Sequence, residues 1–192
     1  MRVAHDPPVR VCLFTRWPEP GRAKTRLIPA LGAQGAADLH RRLTERTVAT
    51  VLASGLQCEV RSTGADPADF TAWLGVATID QGDGDLGARL ARAAAECPVL
   101  LIGADCPDLT TAHLRAAAAA LEKTAAVIGP AEDGGYWLLG LAAPAPAAFE
   151  RIDWGGPQVF AQTVARLAAP PVILDTLADL DRPEDLLRWP GL

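Results

Sequence analysis

The chain has 192 residues, 49% of them hydrophobic, and a formal net charge of −5. That length and apolar content suit one domain with a real core, and the acidic balance excludes a general nucleic-acid binder, which needs a basic face against phosphates. No apolar run approaches the roughly 20 residues of a membrane span, and residues 1–8, polar and carrying Pro7 and Pro8, read as a short disordered lead without a signal peptide, ahead of a single domain over 9–192.

In chain order, Val9–Phe14 is an apolar run that reads as a buried strand, and it feeds the turn-rich loop Pro18-Glu19-Pro20-Gly21-Arg22-Ala23-Lys24-Thr25-Arg26. Residues 34–52 place Leu39, Leu43, Val48, Val51 and Leu52 at helical spacing, with Ser54-Gly55 as the stop. Cys58–Ser62 and Ala77–Asp80 read as short strands around a short helix, 66–74, opened by Asp66-Pro67. A helix follows over Leu86–Glu96, then the strand Val99–Gly103. The Ala-rich helix Thr110–Lys123 comes next, with Asp108 placed to cap it. Strands at 125–129 and 136–141, a helix at 158–167, a strand at 172–174 and a closing helix at 182–188, with Asp181 near its cap, complete the chain. Strands alternating with helices predict an α/β fold with a mainly parallel sheet and helices on both faces.

The four cysteines, Cys12, Cys58, Cys97 and Cys106, form no CxxC pair, and Cys12 and Cys58 sit in strand-like runs as small core residues. A reduced, cytoplasmic setting fits this usage. His5, His40 and His113 lack metal-ligand spacing and read as ordinary surface or helix histidines.

The loop after the first strand combines one glycine with Arg22, Lys24 and Arg26, and ligands in open α/β sheets bind just beyond strand ends. It therefore reads as an anion site, phosphate first. The strand 99–103 delivers Asp105 to the same edge of a sheet, where a carboxylate suits Mg²⁺ (or Mn²⁺) carrying substrate phosphates. The Lys24-Thr25 pair imitates a P-loop, but Ala23 stands where the second glycine belongs and the prolines remove N–H donors. Gly82-Asp83-Gly84-Asp85-Leu86-Gly87 matches a dinucleotide fingerprint by letter, yet two aspartates would face the pyrophosphate, and a turn with Asp85 at a helix N-terminus explains it as well. Asp133-Gly134-Gly135-Tyr136 is a tight loop that suits either a hairpin turn or substrate binding. The acidic run Asp179-Leu180-Asp181 follows the last strand and leaves room for a second metal ligand.

Taken together, PxPGxxKTRL, QxxGDLGxRL (Gln81 to Leu90), LIGxDxPxL, GPAxDGGYWLLGL and the DxDxPEDL ending resemble the DUF2064 family, whose members are labelled glycosyltransferases or radical-SAM/selenodomain-associated transferases. The resemblance spans nearly the whole chain and implies a three-layer α/β/α fold similar to GT-A nucleotide-diphospho-sugar transferases. By resemblance, Pro20, Gly21, Lys24 and Arg26 hold donor phosphates, with Gln81, Gly84, Asp85 and Gly87 also at the nucleotide. Asp105 binds the metal, and Asp179 or Asp181 completes its shell. Lys24, Arg26 and Asp105 are the expected catalytic residues, and Asp133, Gly134, Gly135 and Tyr136 the expected substrate loop. The implied activity is Mg²⁺-dependent nucleotidyl transfer from a nucleoside triphosphate to an anionic small-molecule acceptor. The alternatives are glycosyl transfer from a nucleotide-sugar and a non-catalytic nucleotide-binding partner of a radical-SAM protein.

Overall fold

A computed structural model describes residues 8–192. Residues 1–7, which hold most of the expected disordered lead, lie outside the described residues. Seven strands form one sheet: β1 (Arg10–Arg16), β2 (Gln57–Thr63), β3 (Ala77–Asp80), β4 (Val99–Gly103), β5 (Ala126–Pro130), β6 (Tyr136–Leu141) and β7 (Val172–Ile173). Their spatial order is β3-β2-β1-β4-β6-β5-β7. β6 runs antiparallel to both β4 and β5, and the other neighbours pair in parallel. The mainly parallel, mixed α/β sheet expected from the alternation is what forms.

The strand period of two sorts the core into two layers. Val11 and Leu13 of β1 and Leu100 and Ile102 of β4 turn to one face, against Val48 and Val51 of α1 (Ile28–Ser54), Phe70 of α2 (Pro67–Leu74) and Leu114 of α4 (Thr111–Leu121). Cys12, Leu101 and Leu139 turn to the other, against Leu90 and Ala93 of α3 (Leu86–Ala93), Phe149, and Phe160 of α5 (Val159–Val164). Each fully buried leucine contributes on the order of 1.5–3 kcal/mol through burial. A smaller cluster of Leu27, Leu39, Leu43 and Leu180 ties the loop after β1 to the C-terminal segment. Among the described residues, no helix is long and apolar enough to cross a membrane.

Several boundaries differ from the sequence expectation. α1 starts at Ile28, before the expected 34, and is kinked at Gly32 (φ 70°, ψ 168°), where glycine accommodates the non-helical backbone. α3 stops at Ala93 and α5 covers only Val159–Val164. The closing segment Pro183–Arg188 is a 3₁₀ turn. Thr110, not Asp108, caps α4, since its hydroxyl accepts from His113 N. Asp108 instead accepts from Trp189 Nε1 at 3.0 Å. The final turn is capped by Asp185, whose Oδ2 accepts from Asp181 N and Arg182 N (3.0 and 2.7 Å), which leaves the Asp181 side chain for other partners.

Candidate active site

β1 and β4 are neighbours, and the strand order reverses between them. The loop after β1 and Asp105 after β4 therefore emerge side by side at the crevice where α/β sheets bind ligands. Leu180 N donates to the Asp105 carbonyl at 2.8 Å, which brings the C-terminal acidic segment to the same place. Sequence-distant Lys24, Asp105, Asp179 and Asp181 are thus assembled as expected.

Their pairing is not the expected one. Lys24 Nζ lies 2.5 Å from Asp105 Oδ1 and 2.5 Å from the Leu180 carbonyl oxygen, and 3.9 Å from Asp181 Oδ1. Arg26 is paired with Asp181. The two cations expected at phosphate, Lys24 and Arg26, are here engaged by Asp105 and Asp181, two of the three carboxylates expected at the metal. Burial alone would raise the Asp105 carboxyl, but the Lys24 ammonium, by charge and hydrogen bond, outweighs it and holds that carboxyl below its ordinary 3.8. Asp179 is shifted the other way, raised first by burial and then by Asp133, with Asp105 and Asp181 adding to it.

The aspartates rim a cleft of about 330 Å³ at the carboxyl end of β4. Asp105, Asp133 and Asp179 line it, while Phe14, Leu90, Tyr136 and Trp154 supply apolar wall, and among the described residues no lysine or arginine lines it. Burial pushes the Tyr136 phenol up, so it stays neutral. A second cleft of about 440 Å³ shares Asp133, Gly155 and Asp179 with the first and carries Arg26, Arg182 and Arg188. Arg188 forms a two-pronged pair with Glu132 at 2.7 and 3.0 Å.

Carboxylate and carbonyl oxygens are the donor set that Mg²⁺ or Mn²⁺ prefers, so the chemistry of Asp105, the Leu180 carbonyl and Asp181 fits such an ion. As the side chains stand, no group of three His, Cys, Asp or Glu residues among the described residues converges closely enough to hold a metal. Asp105 and Asp181 are instead engaged by Lys24 and Arg26.

The other expected donor residues have structural partners. Gln81 is buried; its Nε2 donates to the Thr15 and Arg61 carbonyls (3.1 and 2.9 Å), bridging the ends of β1 and β2. Arg89 donates to Gln81 Oε1 and to the Gly84 carbonyl (3.2 and 3.0 Å), wrapping the loop from within the chain. Asp85 caps α3 by accepting from Ala88 N at 2.8 Å, and Gly87 allows the Phe149 carbonyl and Trp154 ring to approach. Pro20 and Gly21 are exposed at the rim of the loop after β1. Asp133 closes its own tight turn by accepting from Gly135 N at 2.8 Å, so its loop is both a hairpin turn and a cleft wall.

His40, read from sequence as ordinary, is buried behind the site. Its Nε2 lies 3.0 Å from the Arg16 carbonyl oxygen and 3.2 Å from Thr15 Oγ1, so Nε2–H donates to that carbonyl. Burial first of all, with Lys24 and Arg16 adding to it against the opposing pull of Asp105, lowers its imidazole below the ordinary 6.5. A depressed histidine stays neutral when folded but takes a proton when unfolded, so stability falls as pH drops below 6.5 towards the folded value. Urea melts between pH 7.5 and 5 are expected to show that decline, and His40→Gln to flatten it.

The sheet, with a strand-end carboxylate beside the loop after β1, is of the GT-A-like, nucleotide-diphospho-sugar transferase class by its likeness to a solved structure of that class. Within that class, the chain belongs to the DUF2064 family, described as an uncharacterized protein conserved in bacteria, whose pattern matches residues 47–156. No curated protein matches it by sequence. Among solved structures it is similar to a candidate nucleotide-diphospho-sugar transferase of Desulfovibrio desulfuricans G20 (TM-score 0.87, 28% identity, 95% of this chain and 87% of that one). At fold level it is also similar to glucosyl-3-phosphoglycerate synthase of Mycobacterium tuberculosis, solved with Mn²⁺, UDP and glucosyl-3-phosphoglycerate (0.57, 13%, 94% and 75%). A third similar fold is 2-C-methyl-D-erythritol 4-phosphate cytidylyltransferase of Thermus thermophilus (0.55, 19%, 95% and 97%).

Proposed function

We propose that this chain is a divalent-metal-dependent transferase that moves a sugar from a nucleotide-diphospho-sugar to a hydroxyl-bearing acceptor. The observation that carries this choice is the lining of the first cleft, which among the described residues holds three aspartates and apolar or aromatic walls but no cation. An anionic acceptor would meet Asp133 and Asp179 there without counter-charge, since Lys24 neutralises only Asp105. A hydroxyl acceptor instead needs a carboxylate to take its proton, and Asp179, its affinity for a proton raised by burial and by its neighbours, suits that task. Tyr136 and Trp154 offer flat apolar surface to a sugar ring. The D. desulfuricans relative favours the same chemistry by likeness.

Asp105, the Leu180 carbonyl and Asp181 are the groups that would hold Mg²⁺ or Mn²⁺, which when bound would offset charge on the departing nucleoside diphosphate. The acceptor oxygen forms its bond to the anomeric carbon as the sugar–phosphate bond breaks. Asp179 receives the hydroxyl proton, and the nucleoside diphosphate leaves with the bonding electrons. The apolar wall excludes water that would otherwise take the acceptor's place.

One observation favours nucleotidyl transfer as a second reading: Arg26, Arg182 and Arg188 line the adjoining cleft, where an anionic acceptor could lie. Incubation with uridine, guanosine, adenosine and thymidine diphosphate sugars and with the nucleoside triphosphates, in Mn²⁺ and a mixed acceptor pool, separates the two. Release of nucleoside diphosphate is the expected result. Release of pyrophosphate, with nucleotide-sugars inert, would overturn the glycosyl reading.

A further inference from the structure

Lys24 stands where the divalent ion is expected. Its side chain is only 5% exposed, and its ammonium has Asp105 Oδ1 and the Leu180 carbonyl at 2.5 Å, with Asp181 Oδ1 at 3.9 Å. All three partners are hard oxygens, the ligand type of Mg²⁺ and Mn²⁺. Lys24 reaches them from a left-handed backbone (φ 48°, ψ 46°), which a lysine rarely adopts and which persists only where its surroundings enforce it. The loop is therefore held by this contact as much as the contact is held by the loop.

We infer that the Lys24 ammonium is the resident cation of this site and is exchanged for the divalent ion when that ion binds. The inference rests on the metal-dependent reading above. A monovalent and a divalent cation cannot share Asp105 Oδ1 and the Leu180 carbonyl within one shell, because their repulsion at such separations is severe. Before exchange, Asp105 is neutralised and the acidic segment stays attached to β4. After exchange, Lys24 leaves from the crevice edge between β1 and β4, where the donor diphosphate would lie, and takes a phosphate as its new partner. Ion and donor then favour each other's binding: the ion alone must expel an ammonium into water, whereas the donor offers that ammonium an anion. The phosphate role read from the sequence and the carboxylate pairing seen in the structure become two states of one side chain.

The chain contains two lysines, Lys24 and Lys123, and Lys123 is exposed in the turn after α4. Acetylation of the wild-type protein with an N-hydroxysuccinimide ester, followed by mass spectrometry of both sites, thus has an internal standard. Without divalent ion, Lys24 is expected to react at least about tenfold more slowly than Lys123. Saturating Mn²⁺ alone is expected to accelerate Lys24 about tenfold, with Lys123 unchanged. In parallel, Lys24→Met is expected to bind Mn²⁺ about fivefold tighter than wild type or better, followed by the paramagnetic resonance signal of free Mn²⁺. Mn²⁺ that binds without exposing Lys24 would overturn the exchange and leave the metal-dependent reading intact; so would a folded Lys24→Met with unchanged or weaker affinity. If neither protein binds Mn²⁺, both fall. Should Lys24→Met fail to fold, the wild-type labelling decides.

Discussion

Asp105→Asn is expected to slow transfer by about 10²–10³-fold while leaving a folded but less stable protein. The substitution removes the carboxylate that both the resident ammonium and the proposed divalent ion use, so Mn²⁺-dependent donor binding and turnover should fall together. Loss of one charged group at a transfer centre lowers the rate by about 10²–10³-fold. The stability effect comes from Lys24, whose side chain is 5% exposed and whose ammonium would keep the Leu180 carbonyl and a neutral amide oxygen but no counter-charge closer than Asp181. Breaking a fully buried pair costs about 3–5 kcal/mol. The Asp105 side chain is 48% exposed, so solvent screening reduces this to about 1–2 kcal/mol. The pH dependence has a definite sign. Asp105 is depressed in the folded state, so its contribution is present above the ordinary 3.8 and is lost as pH falls through the folded value. Urea melts at pH 7 and pH 3 should therefore differ more for wild type than for the variant. Unchanged Mn²⁺ affinity by calorimetry would remove Asp105 from the metal site. Asp181→Asn should do much less to stability, because its main partner, Arg26, is largely exposed.

The parts of this molecule that were legible in the sequence are those decided locally. Ala77–Asp80, Val99–Gly103 and Tyr136–Leu141 form strands with the bounds expected from short apolar runs between turn residues. Asp66 and Asp85 cap their helices, a preference carried by single residues. Asp105 could be placed because a buried strand has few places to put the residues that follow it. The remainder depends on contacts between distant segments. Nothing near Lys24 indicates that its ammonium meets Asp105 and Leu180 rather than a phosphate. Phe14 and Trp154 reach one cleft from opposite ends of the chain, and neither belongs to a periodic pattern that would point there. His40 lies among polar residues of α1, so its sequence neighbours suggest solvent, yet Thr15, Arg16 and Thr44 enclose it in a polar pocket at the end of β1. The helix bounds around Gly32 and after Ala93 differ from the sequence expectation because packing decides there whether a glycine bends an element or ends it and where a short helix stops.

Gly134→Ala is expected to cost about 2–5 kcal/mol and to weaken acceptor use more than donor binding. Gly134 has φ 90°, a conformation that costs an alanine about 1–2 kcal/mol. A Cβ there would also run into the carbonyl of Pro157, and backbone cannot swing aside as a flexible side chain could. Overpacking of this kind adds about 1–3 kcal/mol. The contact joins two walls of the cleft: the Asp133–Tyr136 turn on one side, and the segment running from Trp154 into α5 on the other. Phe160 N donates to the Gly134 carbonyl at 3.0 Å, so displacement of Gly134 pulls on both. For a domain of this size the loss corresponds to a melting temperature lower by on the order of 5–15 °C. Gly155→Ala separates the two causes. Gly155 also has a left-handed backbone (φ 87°) and also lines the cleft, but a Cβ there meets nothing within 4 Å. It should lose only the strain, about 1–2 kcal/mol. If the two variants melt together, the Pro157 contact contributes nothing, and the walls of the cleft are not held in register through Gly134.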